Sequence, residues 1–260
     1  TLQYQEIGEN SNPARGFVSR KGVRLERIRL FHSTRSADGY FQERKPTVEY
    51  INWEYLDNGQ VQTRLLNIRP LDLTNQSGDR IWGVLQRRKA SVRGPDDQPL
   101  ENIGIILPTG SYSWDRVAMG INSSSHRRFF TNTWGSWGDY YGGTSRSLRS
   151  DVTWRPSQHF NFTVGARLND IDLPEGRFIS RILNFNATWV FSSTLSWSNL
   201  IQYDNISENL GFNSRLHWVP KAGQDVFLVF NQGWQDRDLD NTFRTTEQDL
   251  TLKASYTFRF

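Results

Sequence analysis

The chain has 260 residues, of which 36% are hydrophobic and 13% aromatic; it contains ten Trp, sixteen Phe and no Cys, and carries a formal net charge of +4. Mean hydropathy is −0.65, and no run approaches the roughly 18 apolar residues of a spanning helix, which excludes a helical membrane protein. The absence of cysteine excludes a disulfide framework, a thiolate nucleophile and a cysteine zinc site. The positive charge is spread along alternating segments and not gathered on one helix or loop, which argues against nucleic acid as a partner. A chain this rich in aromatics is not disordered, yet it is polar for a soluble core. A transmembrane β-barrel satisfies both facts, because only alternate residues meet lipid and aromatic rings mark the interfaces.

In chain order, TLQYQEI opens the sequence as a strand over 2–7, which fits a mature chain or a fragment. Further strands are read at 23–33, 46–56, 61–74, 80–92, 112–123, 128–137 and 145–155, with Asn58-Gly59 as a hairpin signal. The second half alternates more cleanly. HFNFTVGARLND places Phe160, Phe162, Val164, Ala166 and Leu168 on one face, and ILNFNATWVF does the same with Leu183, Phe185, Ala187, Trp189 and Phe191. TLSWSNLIQY and LGFNSRLHW follow. Period-two alternation over about ten residues is the strand signal, at a length that suits a tilted membrane crossing.

Short turns near 156–158, 192–193 and 220–224 are expected to alternate with longer polar loops at 138–144, 169–176, 204–209 and 235–248. Outer-membrane barrels pair short periplasmic turns with longer external loops. The last stretch, LTLKASYTFRF, sets Leu250, Leu252, Ala254, Tyr256, Phe258 and Phe260 against Thr251, Lys253, Ser255, Thr257 and Arg259. If its end lies in the periplasm, counting back puts every short turn inside and the proline-containing connection 93–110 outside. The expected architecture is all-β: an antiparallel outer-membrane β-barrel, one domain over 1–260, with about fourteen strands. Whether these close alone or belong to a larger barrel stays open. A soluble β-sandwich also alternates, but rarely needs so many long strands.

A final alternating strand ending in Phe resembles the signal read by the barrel-assembly machinery of Gram-negative bacteria, with Tyr256, Phe258 and Phe260 as its residues. The wider chain resembles outer-membrane proteins that carry an N-terminal domain like carbohydrate-binding-module family 9, followed by a large β-barrel domain of unknown function. The stretches that carry the likeness are EIGENSNPARGFVSRKG, LPTGSYSWDR, WGDYYGGTSRSLRSDVTWRPS, LNDIDLPEGRF and DVFLVFNQG. The resemblance implies that this chain is the C-terminal part of a longer protein, without the sugar-binding module. It implies localisation in the outer membrane, with lipid, the assembly machinery, an oligosaccharide and other envelope proteins as partners. It brings no catalytic residues.

Four groups of side chains are candidates for function. Arg149, Asp151, Arg155, Arg167, Arg181, Arg215 and Arg259 are expected to face a lumen, where arginine favours anions or pairs with carboxylates to plug the space. Asp236, Asp238, Asp240 and Glu247 match positions 1, 3, 5 and 12 of a calcium loop, although here the loop joins strands and reads more simply as a solvated acidic hairpin. Calcium is the only cofactor considered, and none is the expectation. Trp134, Trp137, Tyr140 and Tyr141 form an interfacial girdle or a sugar-stacking platform. Among the histidines, His126 and His159 are the candidates for catalysis, with turn or lumen roles as the simpler reading. The leading expectation is a channel or transport barrel linked to oligosaccharide handling. The alternatives are an anchor for the sugar-binding domain and an outer-membrane hydrolase.

Overall fold

The computed structural model describes residues 1–12, 20–94, 98–236 and 242–257. These form one antiparallel sheet of sixteen strands. They are β1 (Leu2–Ile7), β2 (Val23–Phe31), β3 (Thr34–Arg35), β4 (Phe41–Arg44), β5 (Thr47–Tyr55), β6 (Val61–Asn75), β7 (Arg80–Val92) and β8 (Gly110–Asn122). There follow β9 (Phe129–Tyr140), β10 (Gly143–Ser157), β11 (Phe160–Leu173), β12 (Gly176–Ser192), β13 (Leu195–Asp204), β14 (Asn209–Trp218), β15 (Gln224–Gln235) and β16 (Arg244–Tyr256). Hydrogen-bonded neighbours follow chain order from β1 through β2 and β5 to β16, a meander. Beside this path, β3 pairs with β4, and β4 with β6.

All fourteen expected strands are present; the β3–β4 hairpin is the addition, its strands of two and four residues being too short to show a period. Three expected loops are corrected, one of them 235–248, whose residues 244–248 belong to β16. The 138–144 connection is a two-residue turn, Tyr141 and Gly142, with φ of 45° and 89°. The 169–176 connection also shrinks to two residues, Pro174 and Glu175. Polar residues that read as loop are ladder residues here, because a strand's solvated face can be as polar as a loop.

The fold divides into two compact units. The first comprises Thr1–Ile121, Gly135–Arg146 and Asp170–Phe178; the second comprises Asn122–Trp134, Ser147–Asn169 and Ile179–Phe260.

In the second unit the registers sort the side chains cleanly. Trp189, Trp197, Leu216, Leu228 and Leu252 stand opposite one another across five strands. Directly opposed residues share a face, and so do residues two apart. This face therefore also carries Leu183, Phe185, Ile201, Phe212, Phe230 and Leu250. Leu183, Ile201, Leu228, Leu250 and Leu252 are exposed on it, the last at 72%. Aromatic rings continue it: Trp154 stacks on Phe162 at 5.7 Å, Phe162 on Phe185 at 6.5 Å, and Trp189 on Trp197 at 5.2 Å. The reverse face is hydroxyl- and amide-lined. Thr153 bonds Thr163 at 2.9 Å, Thr188 bonds Ser198 at 3.3 Å, and Asn213 bonds Asn231 at 2.5 Å.

In the first unit the core is local. Residues 98–109, from the connection between β7 and β8, fold back and bury Leu100, Ile105 and Leu107 against Ala90, Val92, Trp114, Tyr141 and Leu173. Leu107 and Val92 are each only 2% exposed. A single 3₁₀ turn at Glu101–Ile103 ends at Gly104, whose φ of 77° lets its N–H reach the Glu101 carbonyl. Gln98 ties the loop to itself, donating to the Gly94 and Leu107 carbonyls and accepting from the Leu107 N–H at 2.8 Å.

Candidate functional site

The face of the first unit on which this loop sits is built from β7 and β8. Arg87 and Asp115 approach to 3.9 Å on one side of the sheet. Their chain neighbours Arg88 and Arg116 therefore project on the other, in phase with Ala90, Val92 and Trp114 of the loop-covered core. Arg116 Nη2 donates to Ser136 Oγ at 2.8 Å and to Ser145 Oγ at 3.4 Å, and its guanidinium lies 5.5 Å from the Tyr140 ring centroid. Tyr140 packs edge-on against Trp114 and Tyr141, with centroids 5.6 and 4.8 Å away. Gly138, with φ of 144°, makes the close approach possible: a Cβ there would lie 2.4 Å from the Asp115 carbonyl oxygen.

The carboxylates nearby are already engaged. Arg29, Glu49, Asn67 and Gln86 stand in one ladder on the Arg88 face. Glu49 accepts from Arg27 at 2.9 Å and from Asn67 at 3.3 Å, and Asn67 in turn accepts from Gln86 at 3.0 Å. Asp72 takes Arg80 at 2.6 Å and Arg69 at 3.4 Å. Among the described residues no carboxylate lies within ion-pair distance of Arg88 or Arg116. Arg88 Nε, Arg116 Nε and Trp114 Nε1 are buried donors without an acceptor.

The mouth of the loop is held by a separate clamp. Arg93 reaches Asp57 at 2.9 Å and Asn58 at 2.7 Å, with its guanidinium 3.2 Å from the Tyr55 ring centroid. The hydrogen bond from Arg93 holds the Asp57 carboxyl below the usual aspartate range.

The residues singled out in the sequence scatter. Arg149, Asp151 and Arg155 are in phase with Thr153 on the polar face of the second unit. Arg149 and Asp151 sit 3.4 Å apart, and Arg155 lies over Phe130 at 4.7 Å. Arg167 shares its face with Gly165, where an added Cβ would meet the Asn184 side chain. Arg215 stands opposite Ser198 and Val229 on that same face. Arg181 is a correction: it pairs with Asn205, one step beyond Ile182 opposite Asp204, and so falls on the apolar face with Leu183. Arg259, Phe258 and Phe260 lie outside the described residues.

Trp134, Trp137, Tyr140 and Tyr141 do not make one surface. Spacings of three put Trp134 and Trp137 on opposite faces of a strand, as they do Trp137 and Tyr140. Trp137 is 42% exposed and, with Leu66, Ile68, Leu85 and Val117, lines an apolar groove of about 460 Å³. Tyr140 and Tyr141 pack inside the first unit's core. The aromatic band is instead the Trp154–Phe162–Phe185–Trp189–Trp197 group.

Asp238 and Asp240 lie outside the described residues. Asp236 is 5% exposed, and Glu247 stands in β16 opposite Gly233. Among the described residues no three metal-ligating side chains gather. Tyr256 pairs with Gln224, in phase with Ala254 and Leu252. His159 engages the Val190 carbonyl through Nδ1 at 2.7 Å, a turn contact. His217 meets Asp225 at 2.8 Å and stacks on Phe227 at 4.3 Å. His126, the other candidate, lies in the turn between β8 and β9, where its backbone N–H donates to Ser124 Oγ at 3.4 Å; among the described residues no nucleophile is bonded to the ring of His159 or His217.

No family model matches the chain, and no curated protein is similar to it. Arg88 and Arg116 escaped the sequence reading because their strands carry charge on both faces. The usable signal was QRRK beside WDR, neighbouring strands that each place an arginine at the same phase.

Proposed function

We propose that the chain is a transmembrane β-barrel of a Gram-negative outer membrane and serves as a channel for polar solutes. The observation that carries this is the exposed apolar face of the second unit, with Leu228, Leu250, Leu252, Phe185 and Trp197 aligned across strands and a hydroxyl- and amide-lined face behind them. A contiguous apolar surface of this extent is costly in water, and its ring-bearing stretch suits a headgroup boundary. In hydrocarbon an unpaired strand edge is equally costly, so the reading requires closure of the sheet. The arginine-bearing face then lines the lumen, which favours anionic solutes. A link to oligosaccharides rests only on the resemblance of the sequence stretches given above.

One observation favours a second reading, a plugged barrel that anchors another domain: residues 98–109 cover part of the arginine-bearing face with apolar side chains. The experiment is insertion into planar bilayers. Stepwise conductance is expected from a channel, whereas insertion without steps supports the anchor. A chain that stays monodisperse without detergent overturns both.

A further inference from the structure

Three features of the molecule are unabsorbed by the channel reading: the apolar groove at Trp137, the exposed last strand β16, and the arginine pair beside the loop-covered core, which no carboxylate among the described residues reaches. Nothing in the structure shows what covers the first two. The third carries a specific chemistry, because Arg88 and Arg116 are cationic and the two serine hydroxyls bonded to Arg116 can each still donate a hydrogen bond.

We infer that Arg88 and Arg116, with Ser136 and Ser145, form a binding site for an oxyanion, a phosphate or a carboxylate borne by a small solute. Arg116 already uses Nη2 on the two serine hydroxyls. Those hydroxyls accept from it, so their own protons remain to be donated. The Nε atoms of both arginines are buried and unbonded. Buried donors normally find acceptors. Glu49 and Asp72, the carboxylates characterised on this face, are bound by Arg27, Arg69 and Arg80.

Two guanidiniums beside each other on a partly desolvated surface repel, and a shared anion relieves that repulsion while accepting charge-assisted hydrogen bonds. The Tyr140 ring beneath Arg116 adds a flat apolar wall, so a ring-bearing acid fits better than a bare ion. The loop residues Ile105 and Leu107 shield the core next to the site from water, which strengthens each polar contact.

The physiological role of the site, selecting acidic solutes, rests on the channel reading; the binding itself does not. The test therefore uses the full chain in detergent. Inorganic phosphate is the probe, followed by phosphorus NMR line broadening and by the shift it causes in the thermal midpoint. Saturable broadening is expected, displaced by glucuronate but not by glucose, together with a rise in midpoint. Displacement by glucuronate assigns a carboxylate to the site as well; its failure restricts the site to phosphate.

Arg88→Gln and Arg116→Gln should each weaken phosphate at least about tenfold, the loss of one charge-assisted contact, while Arg215→Gln leaves it unchanged. Arg88→Gln is the decisive variant, because among the described residues Arg88 makes no side-chain hydrogen bond whose loss would unfold the chain. Broadening that is absent in the wild type, or equal in Arg88→Gln, overturns the site. Arginine-dependent binding in a chain that gives no conductance steps keeps the site and removes the channel.

Discussion

The two units use the same alternating strand for opposite ends. In the second, both faces are left bare: the apolar face is exposed at Leu228, Leu250 and Leu252, and the reverse face satisfies itself with short hydroxyl and amide pairs. In the first, one face is covered by its own chain, which buries Leu100, Ile105 and Leu107 on the strands. A strand pair can thus be stabilised by the surrounding medium or by a loop. Only the second arrangement creates a local core, and with it a place where donors lose water. In the second unit Arg149 finds a carboxylate, Asp151, while Arg155 and Arg215 find an aromatic ring. Arg88 and Arg116, beside the loop-covered core, find no carboxylate among the described residues, and their Nε atoms are buried without an acceptor.

If this contrast is right, the largest loss comes from opening the loop-covered core. Leu107→Ala should cost about 2–5 kcal/mol in denaturant unfolding of the first unit. Leu252→Ala, on the bare apolar face, should cost under about 1 kcal/mol in detergent, since its surroundings can refill the space. Equal costs would erase the distinction.

The next effect separates the two faces of the second unit. Leu252→Arg should destabilise the chain in bilayers by roughly 2–4 kcal/mol, and Thr251→Arg, one residue away on the polar face, by about 0–1 kcal/mol. The comparison is made by folding titrations into vesicles, and reversal of the order would invert the assignment of faces.

Smaller is the backbone approach that seats Arg116. Gly138→Ala forces a Cβ to 2.4 Å from the Asp115 carbonyl oxygen, with an expected cost of about 1–3 kcal/mol for the strained geometry. At Gly211 the nearest heavy atom would be 3.9 Å away, and alanine there should change stability by no more than about 0.5 kcal/mol. Thermal midpoints of the two variants decide it.

The smallest effect is one of pH, at the clamp that holds the loop mouth. The Asp57 carboxyl is held below its ordinary value of 3.8 by Arg93. Its contribution is therefore present in full above that value and is lost as pH falls through the lower, folded one. The pair is exposed, so the effect is slight. Proteolysis of the 93–109 connection should quicken below pH 3.8 in the wild type and be already quick at neutral pH in Asp57→Asn. A rate in Asp57→Asn that matches the wild type at neutral pH would remove the clamp.

Much of the ladder was legible residue by residue. LTLKASY and the LNFNATW of β12 declare their two faces because apolar and polar residues alternate along them, and the registers keep those faces together. The Trp and Tyr of WGSWGDYY were misleading for the same reason read in reverse: a spacing of three cannot keep two rings on one side of a strand. Arg181 was misplaced because it was judged by its charge and not by its phase with Leu183. The turns at Tyr141-Gly142 and Pro174-Glu175 hid inside polar stretches, where strand and loop have the same composition.

The sequence by itself determined the all-β class, the fourteen longer strands and the two faces of each cleanly alternating one, since all three are local consequences of period-two geometry. Only the tertiary structure decided which face is covered and by what. That residues 98–109 return to bury Leu107 beside Val92 and Trp114 depends on contacts across strands, and no local pattern encodes them. The same is true of the arginine pair beside that core. That no carboxylate among the described residues reaches it is a property of neighbours brought together by the sheet, and not of QRRK or WDR alone.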